Sequence, residues 1–104
     1  MATKHINMIK GDTLSFGLEI EDLNGDLSSA YFTCRASYDT AILFQKSLGS
    51  GITKVSSGVY RVRVAPEDTE SLAVGRYVYD FQIGANNDVF TIMSGILEID
   101  AGVT

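Results

Sequence analysis

The sequence predicts an all-β fold, a Greek-key β-sandwich of seven to eight short strands with one short helical turn near residues 66–72, formed as a single domain over residues 1–104. Three features of the chain point to it. Apolar residues recur with a period of two, as on strands that have one dry face and one wet face. Turn-forming residues interrupt this alternation at fairly even spacing, with no internal repeat and no linker. The third feature is the stretch from Leu72 to Ile83, where a short acidic turn passes through Gly75 into a strand with Tyr77, Tyr79, Phe81 and Ile83 on one face and Arg76, Asp80 and Gln82 on the other. Sandwiches use this arrangement at the corner between their sheets, where a tyrosine ring packs inside and its hydroxyl bonds back to the turn. The Tyr77 hydroxyl is expected to make that bond, to the turn around Leu72.

Leu14, Phe16, Leu18 and Ile20 alternate with Thr13, Ser15, Gly17, Glu19 and Glu21, which describes the first strand. Leu23-Asn24-Gly25-Asp26 ends it, Asn-Gly being a strong hairpin signal. Alternation resumes from Tyr31 to Tyr38 through Phe32, Cys34 and Ala36. Ile42 to Ser47 and Ile52 to Val55 are shorter strands around Leu48-Gly49-Ser50-Gly51. After Ser56-Ser57-Gly58, Val59 to Val64 sets Tyr60, Val62 and Val64 inward and Arg61 and Arg63 outward. Pro66 to Leu72 is the helical segment, because proline fits a first helical position and Glu67, Asp68 and Glu70 suit the positive end of a helix. Gly75 can then take the left-handed conformation that stops the turn. Ala85-Asn86-Asn87-Asp88 leads into the last strand, Val89 to Ile99. Its apolar parity changes from Phe90 and Ile92 to Leu97 and Ile99, which predicts a bulge near Ser94-Gly95.

A chain of 104 residues can bury one thin core. Eight basic residues against thirteen acidic ones give a net charge of −5, which argues against nucleic acid or an anionic membrane as the partner. The N-terminus has no apolar run behind its basic residue, and no later segment is apolar enough to span a bilayer, so a soluble protein without a cleaved export signal is expected. Cys34 is the only cysteine and excludes an intrachain disulfide. Phe32 and Ala36, two positions away on either side, mark it as a small buried hydrophobe.

No complete catalytic or metal constellation emerges. Asp22, Asn24 and Asp26 have the spacing of the first ligands of a calcium loop, but Leu27 and Thr33 stand where that loop needs glycine and glutamate. Glu19, Glu21, Asp80 and Glu98 are the carboxylates that a glycosidase pair would draw on, yet Glu19 and Glu21 fall on a wet strand face. There is no Gly-x-Ser-x-Gly motif, no phosphate-binding glycine loop and only one histidine, His5. Tyr60, Tyr77 and Tyr79 lie on core faces, while Tyr31 and Tyr38, on opposite faces of one predicted strand, are candidates for a subunit contact. The expectation is therefore a protein that is not an enzyme, with no catalytic, cofactor-binding or metal residues and no cofactor.

Three segments carry a family resemblance: Lys10 to Phe16; Ala65 to Leu72 with Gly75 to Asp80; and Val89 to Ile99. Together they resemble small phage and prophage structural proteins, in particular the N-terminal Ig-like β-sandwich domain of upper baseplate proteins. The resemblance implies a virion component of the tail or baseplate that oligomerises and binds other phage structural proteins. Such a protein is found in the virion, and in the host cytoplasm during assembly. The sequence departs from the larger baseplate proteins by ending at Thr104 without their helical linker and C-terminal module, which favours an accessory or adaptor role. Open sandwiches have edge strands that must be capped, and in a viral assembly neighbouring subunits cap them. The alternative function is a carbohydrate-binding or adhesion module of the same fold, against which the lack of tryptophan counts.

Overall fold

The computed structural model describes residues 2–20 and 25–103, in the order β1 (Ala2–Thr3), β2 (Ile6–Ile9), β3 (Leu14–Glu19), β4 (Ser29–Arg35), β5 (Ile42–Leu48), β6 (Gly51–Ser56), β7 (Val59–Val64), α1 (Pro66–Thr69), β8 (Gly75–Ala85) and β9 (Asp88–Asp100). Hydrogen bonding follows the path β1-β9-β8-β4-β5-β6-β7-β3, with β2 also on β9. The path turns over at a short parallel contact, where Ser47 and Leu48 of β5 meet Gly51 and Ile52 of β6. One layer is then β2-β9-β8-β4-β5 and the other β6-β7-β3. Phe32 of β4 lies fully buried between them, edge-on to Phe16 of β3 at 5.6 Å, 5.3 Å from the Tyr79 ring and 6.3 Å from Phe44.

Period-two patterning places the strands as predicted. Along β3 the odd-numbered residues are exposed and Leu14, Phe16 and Leu18 half-buried; along β7 Tyr60, Val62 and Val64 are buried and Arg61 and Arg63 exposed. All seven predicted strands are present as β3 to β9. The two short N-terminal strands are not among those predicted, because Lys4 and His5 are polar and the alternation of Ile6 and Met8 about Asn7 is too short to mark a strand. Both run parallel to β9 in one register, Ala2 opposite Met93 and Ile6 opposite Leu97, interrupted at Lys4-His5.

Three local expectations are corrected. The Tyr31 to Tyr38 strand ends at Arg35, because the pairing with β5 slips between Cys34 and Arg35 and Thr40 then closes a turn onto Ser37. Ala36 and Tyr38 are therefore exposed turn residues, and Tyr38 shares no strand with Tyr31. The helix is a single turn, Pro66–Thr69. Asp68 holds it by accepting the Ala65 N–H at 2.7 Å and the Lys46 ammonium at 2.6 Å. The bulge in β9 lies at Ile92, since Phe81 faces Met93 while Gln82 faces Thr91. The extra residue there moves Met93, Leu97 and Ile99 to the dry face and leaves Phe90 half exposed.

The Tyr77 hydroxyl does bond back to the turn, donating to the Ala73 carbonyl at 2.5 Å, but at an exposed position. Buried polar links are made by other residues. Tyr60, 1% exposed, accepts the Leu27 N–H at 3.1 Å, and buried Thr69 accepts the Gly11 N–H at 3.0 Å. Removing an acceptor from a buried N–H costs about 1 to 3 kcal/mol, more than losing a solvated bond. Tyr60→Phe is thus expected to lower the urea midpoint clearly, and Tyr77→Phe by no more than half as much.

Cys34 is buried, as its neighbours predict, and burial pushes its thiol up to about 12. The thiolate is the reactive form. Native protein should resist a thiol reagent over hours and react at once in denaturant; rapid labelling of folded protein would contradict this packing.

Candidate functional site

Gly95 lies where the N-terminal strand passes along β9. It faces the core opposite Tyr79 in the β8-β9 pairing. A Cβ at this position would collide with the Lys4 carbonyl, so only glycine lets the Lys4 backbone cross. The crossing is then held from two sides. The Tyr79 hydroxyl donates to the Lys4 carbonyl at 2.6 Å, and the Lys4 N–H donates to the Ser94 carbonyl at 2.9 Å. Burial raises the Tyr79 phenol above its ordinary pKa, which keeps this donor protonated.

With the N-terminal strand committed to β9, β3 pairs with β7 alone among the described residues. The Ile20 N–H donates to the Gly58 carbonyl at 2.8 Å, so the backbone groups of even-numbered residues in β3 point toward β7. Those of Ser15, Gly17 and Glu19 point to the free edge. Among the described residues only the Glu19 carboxylate guards it: β3 contains no proline, lysine or bulge. Beside it the layers stand apart, leaving a groove of about 290 Å³ lined chiefly by Ile6, Leu14, Phe16, Leu18 and Met93. An open strand edge bordering an apolar slot can accept another strand with alternate apolar residues, the backbone supplying hydrogen bonds and the slot supplying burial.

The outer face of the larger layer is polar. A hollow of about 370 Å³ is lined by Tyr31, Thr33, Arg35, Gln45, Asp80 and Gln82. Gln45 covers Thr33 and donates to its hydroxyl at 2.9 Å. The carboxylates weighed for glycoside chemistry are not brought together. Glu19 lies on the smaller layer, and Glu21 is outside the described residues. Asp80 and Glu98 share a face but lie opposite Ser94 and Arg76, four residues apart along the strands or about 13 Å. Glu98 instead meets His5 at 3.2 Å and Arg76 at 3.4 Å. Of the acidic turn considered for calcium, Asp22 and Asn24 lie outside the described residues, and Asp26 is taken up by Lys54 at 2.6 Å. That bond is the main reason the Lys54 ammonium holds its proton above the ordinary lysine range. Among the described residues no three acidic, histidine or cysteine side chains gather as a metal site, and no helix is long and apolar enough to cross a membrane.

No protein-family model matches the chain, and no curated protein matches it in sequence. Solved structures do match in shape. The extracellular domain of the voltage-gated sodium channel beta4 subunit, known as parallel homodimers that explain its role in cell-cell adhesion, aligns with a TM-score of 0.54 at 17% identity, over 99% of this chain and 95% of that one. The NK cell receptor Nkp44, a triggering partner in natural cytotoxicity, aligns with a TM-score of 0.56 at 16% identity, over 96% and 100%. The protein therefore has an Ig-like β-sandwich fold. The disulfide and tryptophan that pin antibody domains are replaced here by Phe16, Phe32 and Tyr79.

The Lys4 crossing can be tested directly. Gly95→Ala should destabilise the protein by about 1 to 3 kcal/mol through backbone overlap. It should also speed hydrogen exchange of the Lys4 N–H while leaving amides in the centre of β7 protected until global unfolding.

Proposed function

We propose that this protein is a non-enzymatic structural component of a phage virion, a small tail or baseplate accessory or adaptor that works by oligomerising and by docking to other phage structural proteins. It would reside in the virion, and in the host cytoplasm while particles assemble. The observation that carries the assembly role is the β3 edge, unpaired among the described residues, beside an apolar groove, a feature that soluble monomers ordinarily cover. The phage assignment draws on the sequence resemblance. Its three segments converge at one end of the sandwich, where the Gly11 N–H meets Thr69, Lys10 meets Asp100, and Gly75 pairs with Ile99.

A second reading, an adhesion module, is favoured by the shape shared with the sodium channel beta4 domain, whose homodimers serve cell-cell adhesion. Both readings place function in a surface and not in a cleft. Light scattering with the structural proteins encoded beside it separates them, because self-association alone fits either. A complex with a tail or head protein is expected. A protein that ignores those proteins yet binds a glycan or a cell surface would transfer the function to the carbohydrate-binding or adhesion alternative.

A further inference from the structure

We infer that the free edge of β3 pairs with β3 of a second copy of this chain, antiparallel about a two-fold axis through Gly17, joining the two smaller layers into one six-stranded sheet. This deepens the assembly reading and rests on it. In that register Gly17 faces Gly17 of the other copy and Ser15 faces Glu19. These are the residues whose N–H and C=O groups point outward, so each facing pair can exchange two hydrogen bonds. Even-numbered residues fall equally well. Leu14 faces Ile20 and Phe16 faces Leu18, so the half-buried apolar row of each copy is covered by that of the other.

Charge selects the same partner. On the outer face of the smaller layer Arg63 stands opposite Ser15 and Arg61 opposite Gly17. Neither arginine, nor Glu19, has an ion-pair partner among the described residues. Two-fold pairing puts Glu19 of one copy on the far side of Ser15 from Arg63 of the other, two strand spacings or about 10 Å between backbones. An extended arginine and glutamate close that gap over the short serine side chain, and the symmetry makes the contact twice.

Three measurements test the pairing by sedimentation and hydrogen exchange on the whole chain. Wild type should dimerise, and the N–H groups of Ser15, Gly17 and Glu19 should exchange quickly when dilute and slowly when concentrated. Gly17→Pro removes an outward N–H at an edge position that tolerates proline and should leave a folded monomer. Because that variant can misfold, a charge exchange runs beside it. Glu19→Arg and Arg63→Glu should each raise the dimer dissociation constant by about tenfold, and the double variant should restore it. A dimer indifferent to these changes would overturn the β3 pairing while leaving the assembly function in place on another surface. A wild type that stays monomeric when concentrated overturns the pairing too, and its binding to a neighbouring structural protein would then decide the assembly function separately.

Discussion

The contact on which the surface of this protein depends is the passage of the Lys4 backbone over Gly95 beneath the Tyr79 hydroxyl. An N-terminal strand in a sandwich can serve either layer. Here the missing side chain at Gly95 and the buried phenol donor make β9 the better neighbour, and the parallel register from Ala2 to Ile9 follows. Among the described residues the smaller layer is left with three strands, an open edge at β3 and a groove beside it.

The core supports this arrangement without a disulfide. Phe32 touches Phe16, Phe44 and Tyr79, and so ties β3, β5 and β8 to β4 across both layers. Offset and edge-on aromatic contacts of this kind add to the burial of large apolar area. Cys34 sits beside them as a packing residue with a suppressed thiolate. Around the rim, buried acceptors on Tyr60 and Thr69 satisfy loop N–H groups that would otherwise be stranded.

Polar residues on the outer face show how little a residue type reveals apart from its neighbours. Asp80 and Glu98 share that face, yet one borders a threonine and glutamine cluster while the other is engaged by His5 and Arg76. Glu19 is an ordinary wet-face carboxylate by pattern. Only its place on β3, beside the strand that carries Arg61 and Arg63 two and four residues further along, makes it significant.

By itself the sequence determined the fold class, the seven principal strands, the inward faces of β3 and β7, the burial of Cys34 and the bond from Tyr77 back to its turn. Period-two patterning and turn chemistry are local, and they survive into the structure wherever one face is buried. The tertiary structure alone decided the rest. The strands at Ala2–Thr3 and Ile6–Ile9 carry at most one apolar alternation, Ile6 and Met8, and take their register from β9. The bulge at Ile92 was misplaced by two or three residues, since parity records that a slip occurs but its position depends on the facing strand. The free edge at β3 is invisible to any pattern, because being last in a layer is a property of pairing between distant segments and leaves no mark on the residues that lack a neighbour.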